Sequence, residues 1–334
     1  MPKVSVLVPF RDEERYIDEC FASILEQSFV DFEVVLVDDH SSDGSADIVR
    51  AHAKRDSRVR LCSVGSGSGL VSALNAGLAK AHGEYIARMD ADDIMHAERL
   101  VEQYEYMAAH PDVSVVGSLV EVFPRESVTE NMQYYIDWLN SLVDNESITR
   151  DIFIESPLAH PSVMLRRDEV IGLGGYSDNG MPEDYDLWLR YYRAGKKFHK
   201  IKRVLHYWRE REDRHSRMSE VYSQENFLRL KSGYLAETVL RDKKEIYIWG
   251  AGRDGKSLFV HLSGCDLDIR GFIDVDSKKI SKKVCGLKVI SYTEIKELQG
   301  FIVVCVGTKG IRAMIREKLL EYGFCEGKDY VCTA

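Results

Sequence analysis

The sequence has little of what marks secreted, membrane-spanning or nucleic-acid-binding proteins. Its seven cysteines include no Cys-x-x-Cys pair, so neither a disulfide framework nor a zinc site is indicated. No apolar run approaches the roughly 20 residues that span a bilayer, and the first residues lack the apolar core of a signal peptide. The net charge of -9 argues against general nucleic-acid binding, which needs a broad basic surface. We therefore expect a cytoplasmic protein with small, buried thiols.

The alternation of apolar runs and helical patterns in the first part of the chain predicts a parallel α/β sheet. A chain of 334 residues is long enough for two domains, each with its own core. Strands are predicted at residues 4–8, where Pro9 stops the run, and at residues 32–37, 59–64 and 85–89. Because helical spacing separates these strands, we expect right-handed parallel crossovers between them.

The fourth predicted strand opens into the acidic sequence Asp90-Ala91-Asp92-Asp93. Because the chain turns at the end of a strand, Asp90 and Asp92 can point toward one place in front of the sheet. Carboxylates held close together repel unless a cation neutralises them, and Mg²⁺ and Mn²⁺ favour such oxygen ligands. The same acids can instead open the following helix, where they would favour its N-terminal dipole. These residues alone leave both interpretations open.

Three of the predicted strands end in polar or glycine-rich loops at one edge of the sheet, where ligands bind in open α/β sheets. The motifs, in chain order, are residues 4–9 with Glu13-Glu14, Asp38-Asp39-x-Ser41-x-Asp43-Gly44, Ala73-Leu74-Asn75-Ala76-Gly77, Asp90-Ala91-Asp92-Asp93 and Glu183-Asp184-Tyr185-Asp186-Leu187-Trp188. In this order they resemble those of family 2 glycosyltransferases of the GT-A fold. The resemblance covers roughly the first two thirds of the chain, and we assign it to residues 1–218.

The resemblance implies an inverting, metal-dependent glycosyltransferase. Such an enzyme moves a sugar from a nucleotide-diphosphate donor, commonly a UDP-sugar, to a hydroxyl of a glycan or lipid-linked acceptor. Asp38 or Asp39 would bind the nucleotide base, while Asp90 and Asp92 would contact the ribose, the diphosphate and a Mn²⁺ or Mg²⁺ ion. The other nucleotide contacts that the resemblance implies are Pro9, Arg11, Glu13, Asn75, Arg88 and Ala91.

Asp184 is implied to be the general base. An acceptor hydroxyl attacks efficiently only if a carboxylate within hydrogen-bond reach takes its proton. The residues implied to form the donor and acceptor pocket are Gly175, Tyr176, Glu183, Trp188 and His160. Two alternatives stay open: Glu183 and Asp184 can be an acidic helix start, and His160 can be a structural histidine.

Residues 193–217 are rich in lysine and arginine, and we expect most of them to form a solvated face. Within this stretch, Tyr207-Trp208-Arg209 followed by Arg214-His215-Ser216 resembles the family's C-terminal loop, in which a histidine or a basic residue can cover the diphosphate or the metal. His215 is therefore a candidate metal ligand. The basic patch can alternatively hold the protein against a lipid-linked acceptor at the inner face of the membrane.

The pattern of strand and helix starts again after a helical linker at residues 219–243, and residues 244–334 predict a smaller Rossmann-like domain. Gly250-x-Gly252-x-x-Gly255 lies between a predicted strand and helix, where glycines let backbone amides approach the phosphate of a nucleotide. Asp274 ends the next strand, near the distance expected for a ribose-binding acid. The same glycines would also permit tight packing of the strand against the helix.

Three functions are compatible with these motifs. The glycosyltransferase is favoured, because its acidic motifs are intact. The second is an NAD(P)-dependent sugar-nucleotide oxidoreductase that uses the C-terminal glycine motif, and the third is a non-catalytic protein that binds nucleotide sugars. The expected partners are the donor and the glycan or lipid-linked acceptor, and nucleic acid is not expected; peripheral membrane association and a homo-oligomer stay open.

Overall fold

The computed structural model describes residues 1–214, 217 and 219–334. The chain divides into two compact units, the first made of Met1–Ile148 and Pro157–Ser219 and the second of Thr149–Ser156 and Glu220–Ala334. The short segment Thr149–Ser156 was not foreseen in the second unit. Arg316 holds it through Asp151 (Nη2 to Oδ1, 2.6 Å), and Lys231 Nζ donates to the carbonyl oxygen of Ile154 at 3.0 Å.

The first half of the first unit alternates strands and helices as predicted. Its elements are β1 (Val4–Phe10), α1 (Ile17–Leu25), β2 (Phe32–Asp38), α2 (Ser45–Ala53), β3 (Val59–Ser63), α3 (Leu70–Lys80) and β4 (Tyr85–Arg88). β1 pairs in parallel with both β2 and β4, and β2 pairs in parallel with β3. The carboxyl ends of these four strands therefore share one edge of the sheet, which confirms the predicted α/β class.

Pro9 does not stop β1, although the sequence predicted that it would. The strand continues to Phe10, and Pro9 lies opposite Val37 of β2. The pairing of β1 with β4 ends at Leu7. A proline lacks an N–H group for a ladder hydrogen bond, so it is tolerated where a strand is no longer paired on both sides.

The rest of the first unit completes a mixed sheet. Its elements are β5 (Ile94–Met95), α4 (Arg99–Ala109), β6 (Val113–Phe123), α5 (Glu130–Ser141), α6 (Asn145–Asp151), β7 (Met164–Arg166), α7 (Arg167–Gly172), α8 (Glu183–Arg193) and β8 (Lys197–Arg209), with short 3₁₀ helices at Arg125–Ser127 and His160–Ser162. The strand order is β3-β2-β1-β4-β7-β6-β8-β5. β7 runs antiparallel to both β4 and β6, whereas β6 and β8 are parallel. The apolar faces of β1, β2, α1 and α4 pack into one core.

Most of the described basic side chains in residues 193–217 are at least partly exposed, as predicted, but much of this stretch forms a strand that the sequence did not predict. β8 occupies Lys197–Arg209, so Tyr207-Trp208-Arg209 ends a strand and does not lie in a loop. Lys200 is buried, and its Nζ donates to the carbonyl oxygen of Leu139 at 2.5 Å. Burial lowers the pKa of Lys200 to about 7.

The second unit is built on its own sheet. Its elements are α9 (Gln224–Glu237), β9 (Ile246–Trp249), α10 (Arg253–Leu262), β10 (Ile269–Asp274), β11 (Lys283–Val284), β12 (Leu287–Ser291), β13 (Phe301–Val304), α11 (Ile311–Glu321) and β14 (Tyr330–Cys332), with 3₁₀ helices at Glu220–Tyr222 and Tyr292–Glu297. The order is β11-β12-β10-β9-β13-β14, and every pair is parallel except β11 with β12. The predicted helical linker is largely α9, which belongs to this unit.

Two further features bear on the predictions from composition. All seven cysteines are free thiols. Among the helices of residues 1–214, 217 and 219–334, none combines the length and the apolar character needed to cross a bilayer.

Candidate active site

The acidic sequence after β4 lies in a loop and does not open a helix. α4 begins at Arg99, with Glu98 at its N-cap position, so Asp90, Asp92 and Asp93 are well before it. The helix-dipole explanation of these acids is therefore wrong. One carboxylate oxygen from each of the three aspartates lies within 4.8 Å of the others, a grouping of oxygen ligands that suits a hard divalent cation.

The three aspartates carry more negative charge than the protein neutralises. Burial would raise the pKa of Asp90, but an ion pair with Arg88 outweighs this and holds it below its usual value. Burial raises the pKa of Asp92 to about 7, and the charges of Asp93 and Asp90 add to the effect. Burial, together with Asp90, raises the pKa of Asp93 to about 8. The cluster is therefore one in which an additional cation would be bound favourably.

Asp93 differs from the other two acids because it is tied to the end of β8. Its Oδ1 accepts a hydrogen bond from the backbone N–H of Arg209 at 2.7 Å, and its Oδ2 lies 2.9 Å from Nε2 of His206. Its side chain is 1% exposed, against 32% for Asp90 and 14% for Asp92. The two more exposed acids are the pair that the sequence predicted as metal ligands.

Arg211 is the main cation on the open side of this loop. Its Nε lies 3.0 Å from Oδ2 of Asp92, and its Nη1 donates to Oε2 of Glu13 at 2.9 Å. Burial raises the pKa of Glu13 to about 7. The hydrogen bond from Arg211 opposes this rise, and the charge of Asp92 adds to it. Sequence reasoning chose Glu13 but missed Arg211, because the basic stretch that contains it was interpreted as solvated.

The two acids at the end of β2 lie at the same edge of the sheet, and both accept hydrogen bonds from backbone N–H groups of nearby loops. Asp38 Oδ1 accepts a hydrogen bond from the backbone N–H of Ser41 at 2.9 Å. Both carboxylate oxygens of Asp39 accept from the N–H of Gly69, at 3.0 and 2.9 Å, and Arg11 Nη1 lies 3.7 Å from Oδ2. Asp39 is buried, whereas Asp38 is partly accessible and is the better placed of the two for a ligand.

Asn75 holds the loop before α8, a role that the sequence did not predict. Its side-chain amide donates to the carbonyl oxygen of Tyr176 at 2.8 Å and accepts from the N–H of Tyr176 at 2.9 Å. Gly175 has a positive φ of 69°, and a Cβ there would lie 2.6 Å from Asn75 Oδ1. The amide thus positions Gly175 and Tyr176, while the nucleotide contact of Asn75 stays a prediction.

His160 lies between two predicted pocket residues. Its Nε2 is 3.0 Å from the hydroxyl of Tyr176, and its Nδ1 is 3.7 Å from Oε1 of Glu183. Burial, together with the charge of Arg88, lowers the pKa of His160. Trp188 was predicted to line the pocket, but it is completely buried and packs against His160 with ring centroids 5.9 Å apart. Trp188 therefore packs against His160 and has no exposed surface with which to contact a ligand.

Asp184 lies at the start of α8, which begins at Glu183. The acids here therefore do occupy a helix N-terminus, as the alternative interpretation required. Glu183 is buried, as is Asp186, whose Oδ2 accepts from Nε of Arg190 at 2.8 Å. Asp184 is only half-buried, and its Oδ1 accepts from the N–H of Tyr185 at 2.7 Å. It is the most accessible carboxylate of this group.

Arg88 is the last residue of β4 and is paired with the acidic loop. Its side chain is 2% exposed and forms an ion pair with Asp90. Burial would lower its pKa, but the fields of Asp90, Tyr176 and Glu183 outweigh this and raise it. Of the remaining predicted residues, Ala91 is buried in the acidic loop, Pro9 is buried in β1, and His215 lies outside the residues that the structure describes.

The glycine motif of the second unit serves packing at two of its three positions. A Cβ at Gly250 would lie 2.3 Å from the carbonyl oxygen of Cys305, and one at Gly255 would lie 1.8 Å from the carbonyl oxygen of Gly250. Around Gly252, a Cβ would meet nothing within 4 Å. Close packing therefore explains Gly250 and Gly255, although Gly250 lines a cavity together with Gly252.

Asp274 joins its own loop to the glycine motif and also lines a cavity, so the predicted contact with a ribose stays a prediction. Its carboxylate accepts from the N–H groups of Ala251 and Asp276, both at 2.9 Å, and from Nζ of Lys279 at 3.0 Å. A cavity of about 300 Å³ lies beside it, lined in part by Gly252, Lys279 and Thr308. The cavity is at the carboxyl ends of β9, β10 and β13.

The first unit has a GT-A fold, which similar solved structures support. The S. aureus TarS fragment 1-349 in complex with UDP-GlcNAc is 21% identical, with a TM-score of 0.58, covering 70% of this chain and 66% of that one. The mannosyltransferase PcManGT from Pyrobaculum calidifontis in complex with GDP-Man and Mn2+ is 20% identical, with a TM-score of 0.54, covering 78% of this chain and 69% of that one. At this identity the likeness establishes the fold.

The chain belongs to glycosyl transferase family 2. The model of that family matches residues 5–173, half of the chain. The putative glycosyltransferase EpsE of Bacillus subtilis (strain 168) is 32% identical over 229 residues, covering 67% of this chain and 79% of that protein. The amylovoran biosynthesis glycosyltransferase AmsE of Erwinia amylovora is 32% identical over 193 residues, covering 57% and 70%. Residues 242–328 match a different model, described as C2185-like, N-terminal.

Proposed function

We propose that this protein transfers a sugar from a nucleotide-diphosphate donor to an acceptor hydroxyl, with a divalent metal and with inversion of the anomeric carbon. The observation that carries the proposal is the group of Asp90, Asp92 and Asp93 after β4, in which one carboxylate oxygen of each lies within 4.8 Å of the others. The buried guanidinium of Arg88 is paired with Asp90 in this group.

Asp90 and Asp92 are the residues that would hold a Mn²⁺ or Mg²⁺ ion. Their donor set fits such an ion: the oxygens are close together, two carboxyl pKa values of the cluster are raised, and hard cations take carboxylate oxygens. A divalent ion at this position would neutralise the charge that develops on a departing nucleoside diphosphate. Arg88 would keep Asp90 ionised and fixed in place.

Asp184 is the proposed general base. It is the accessible carboxylate at the start of α8, next to the loop that Asn75 holds. In a single in-line displacement, Asp184 would take the proton of the acceptor hydroxyl as its oxygen attacks the anomeric carbon from the face opposite the leaving diphosphate. One displacement of this kind inverts the anomeric centre.

The donor and acceptor are proposed by class. The TarS structure is named for a complex with UDP-GlcNAc and PcManGT for one with GDP-Man and Mn2+, which supports a metal-assisted nucleotide-sugar donor. We favour a UDP-sugar, with Asp38 near the base. AmsE is named for amylovoran biosynthesis, which supports a glycan or lipid-linked acceptor in polysaccharide synthesis. A lipid-linked acceptor would bring the protein to the inner face of the membrane.

The function is tested by replacing the proposed base. In Asp184→Asn, UDP binding in the presence of Mn²⁺ should persist while sugar transfer falls by about 10²-fold or more, because a carboxamide cannot accept the proton. Isothermal titration calorimetry and a UDP-release assay measure the two quantities. Asp168→Asn is the matched control, since Asp168 also lies in the first turn of a helix, α7, and its side chain is 95% exposed. An active, folded Asp184→Asn enzyme would refute the assignment.

A second proposal concerns the second unit, which we infer to bind a nucleotide or nucleotide sugar in a Rossmann-like fold. The supporting observation is the cavity of about 300 Å³ beside Gly252. Its size is at the lower end for a small-molecule site. Titration with UDP and with NADH, with and without Mn²⁺, separates this proposal from an oxidoreductase. Tight NADH binding that Asp92→Ala leaves unchanged would favour the oxidoreductase.

A further inference from the structure

A chain of three buried side chains reaches the acidic loop from the interior of the first unit. It consists of Arg99 at the start of α4, His206 in β8 and Asp93 in the loop itself. Nη1 of Arg99 lies 3.3 Å from Nδ1 of His206, and Nε2 of His206 lies 2.9 Å from Oδ2 of Asp93. Arg99 and His206 have no exposed surface. The acidic loop is thus connected to a helix and a strand by groups that solvent does not reach.

The guanidinium of Arg99 has no acid as a direct partner. Its Nη2 donates to the carbonyl oxygens of Arg88 and Val163, at 2.8 and 3.3 Å. Within the described part of the chain, residues 1–214, 217 and 219–334, no carboxylate hydrogen-bonds to it. Burial and the charge of Arg88 lower the pKa of Arg99 to about 9, and the charge of Asp93 opposes that fall. The positive charge of Arg99 is therefore balanced across the ring of His206.

The direction of the hydrogen bonds in this chain follows from the chemistry of arginine. A guanidinium only donates, so Nδ1 of His206 accepts from Arg99 and the ring proton is on Nε2. Nε2 then donates to Oδ2 of Asp93, whose Oδ1 accepts from the backbone N–H of Arg209 at 2.7 Å. Both carboxylate oxygens of Asp93 are hydrogen-bond acceptors, which favours the ionised form and fixes the plane of the carboxylate.

We propose that Arg99 and His206 are positioning residues, which hold Asp93 as a fixed anion beside the proposed metal site and keep it from becoming a ligand. The inference rests on the metal dependence proposed above. One oxygen of Asp93 lies within 4.8 Å of an oxygen from Asp90 and from Asp92, so its charge acts on an ion that those two would ligate. Groups that orient a metal site from outside the ligand set typically contribute 10–100-fold to its affinity.

The polarity of the His206 side chain can be removed and restored by substitution. In His206→Leu, Asp93 loses one of its two donors, so Mn²⁺ should bind about tenfold more weakly or worse. In His206→Gln, the amide offers an acceptor to Arg99 and a donor to Asp93, so most of the affinity should return. His206→Asn carries the same amide on a shorter side chain that cannot reach Asp93. Its affinity for Mn²⁺ should be as low as that of His206→Leu.

Coupling between His206 and Asp93 separates positioning from packing. Asp93→Asn should itself weaken Mn²⁺ binding, because a negative charge beside the ion is lost. Adding His206→Leu to Asp93→Asn should then weaken binding by less than about twofold more, since His206 acts through Asp93. If the two losses multiply, His206 affects the site by another route, and the proposed role is wrong.

The affinities are measured by calorimetric titration of the full-length protein with Mn²⁺, with and without UDP, and by electron paramagnetic resonance of free Mn²⁺. His52→Leu is the matched control, since His52 also pairs with an aspartate of the first unit, its Nε2 lying 2.6 Å from Oδ1 of Asp18. It should leave the Mn²⁺ affinity unchanged. Nitrogen-15 magnetic resonance of the imidazoles, with His206 assigned by the signal lost in His206→Gln, should show a proton on Nε2. A proton on Nδ1 would overturn the role of Arg99.

Failure of this inference can be told apart from failure of the proposed function. If wild type and His206→Leu bind Mn²⁺ equally, the positioning role is overturned while metal binding by the wild type stands. If the wild type binds no Mn²⁺ with or without UDP, the positioning role and the metal dependence both fail. If His206→Leu does not fold, His206→Gln and His206→Asn decide: a higher Mn²⁺ affinity in His206→Gln supports the role, and equal affinities overturn it.

Discussion

Asp92 in the first unit and Asp274 in the second follow buried parallel strands, and the sequence predicted a nucleotide site at both. Their surroundings differ. Asp274 accepts three hydrogen bonds, two from its own loop and one from the loop after β9. Although burial would raise its pKa, these bonds from Asp276, Lys279 and Ala251 hold it low. Burial and two neighbouring carboxylates raise the pKa of Asp92 to about 7. The difference supports the proposal that Asp92 takes part in binding a cation, whereas the charge of Asp274 is compensated by the protein itself.

The largest expected difference between the two acids is in turnover. Asp92→Asn should reduce Mn²⁺-dependent sugar transfer by about 10²-fold or more, because one ligand of the proposed ion is lost. Asp274→Asn should leave the same rate within about twofold, since the hydrogen-bond partners of Asp274 all lie in the second unit. Initial rates over a range of Mn²⁺ concentrations measure both. Equal losses in the two variants would remove the distinction.

The next difference is in stability without metal. The two substitutions should change the free energy of unfolding in opposite directions. The folded-state pKa of Asp274 is lowered, so its charge stabilises the fold above the pKa of the unfolded chain, and Asp274→Asn should cost about 1–2 kcal/mol at pH 8. The folded-state pKa of Asp92 is raised, so its ionisation costs stability as the pH rises from about 4 to about 7. Asp92→Asn should therefore gain about 1 kcal/mol at pH 8 with EDTA present.

Urea denaturation of both variants at pH 8 and at pH 5 tests these signs. At pH 5 the gain from Asp92→Asn should shrink, because Asp92 is then protonated in the folded protein. A loss of stability in Asp92→Asn at pH 8 would show that Asp92 is well compensated in the absence of metal.

The smallest expected effect is the pH dependence of stabilisation by metal. Asp92 and Asp93, with pKa values of about 7 and about 8, bind protons that an ion must displace. The increase in Tm caused by a fixed concentration of Mn²⁺ should therefore grow by a few degrees between pH 6 and pH 8. Differential scanning fluorimetry measures it. In Asp92→Asn the increase should be small at every pH, and a wild-type increase independent of pH would contradict the raised pKa values.

The parallel half of the first sheet could be predicted because its strands are almost wholly apolar. β1 and β2 are buried along nearly all of their length, and continuous apolar runs of this kind predict buried strands from the sequence alone. β8 could not be predicted in the same way. It carries Lys197, Lys200 and Lys202, and only the structure shows that one of the three is buried with a carbonyl partner.

The acids of the candidate site could be predicted for a similar reason, since they come directly after apolar strands. Their partners could not. Arg211 lies 198 positions from Glu13 in the chain, and Asn75 lies 101 positions from Tyr176. No local pattern marks such pairs, because they form only when distant segments fold together. Sequence therefore indicated where the candidate site lies, whereas the residues that compensate its charge could be found only from tertiary contacts.

Because the segment Thr149–Ser156 belongs to the second unit, cutting the chain at a single point cannot separate the two units. The polypeptide enters the second unit at residue 149, returns at residue 157 and enters it again at residue 220. A fragment that starts at Glu220 would lack Asp151, leaving Arg316 with Glu326 as its acid partner, and would lack the carbonyl group that Lys231 binds. A single proteolytic cut at the main boundary would accordingly leave the C-terminal piece held to the rest by this inserted stretch.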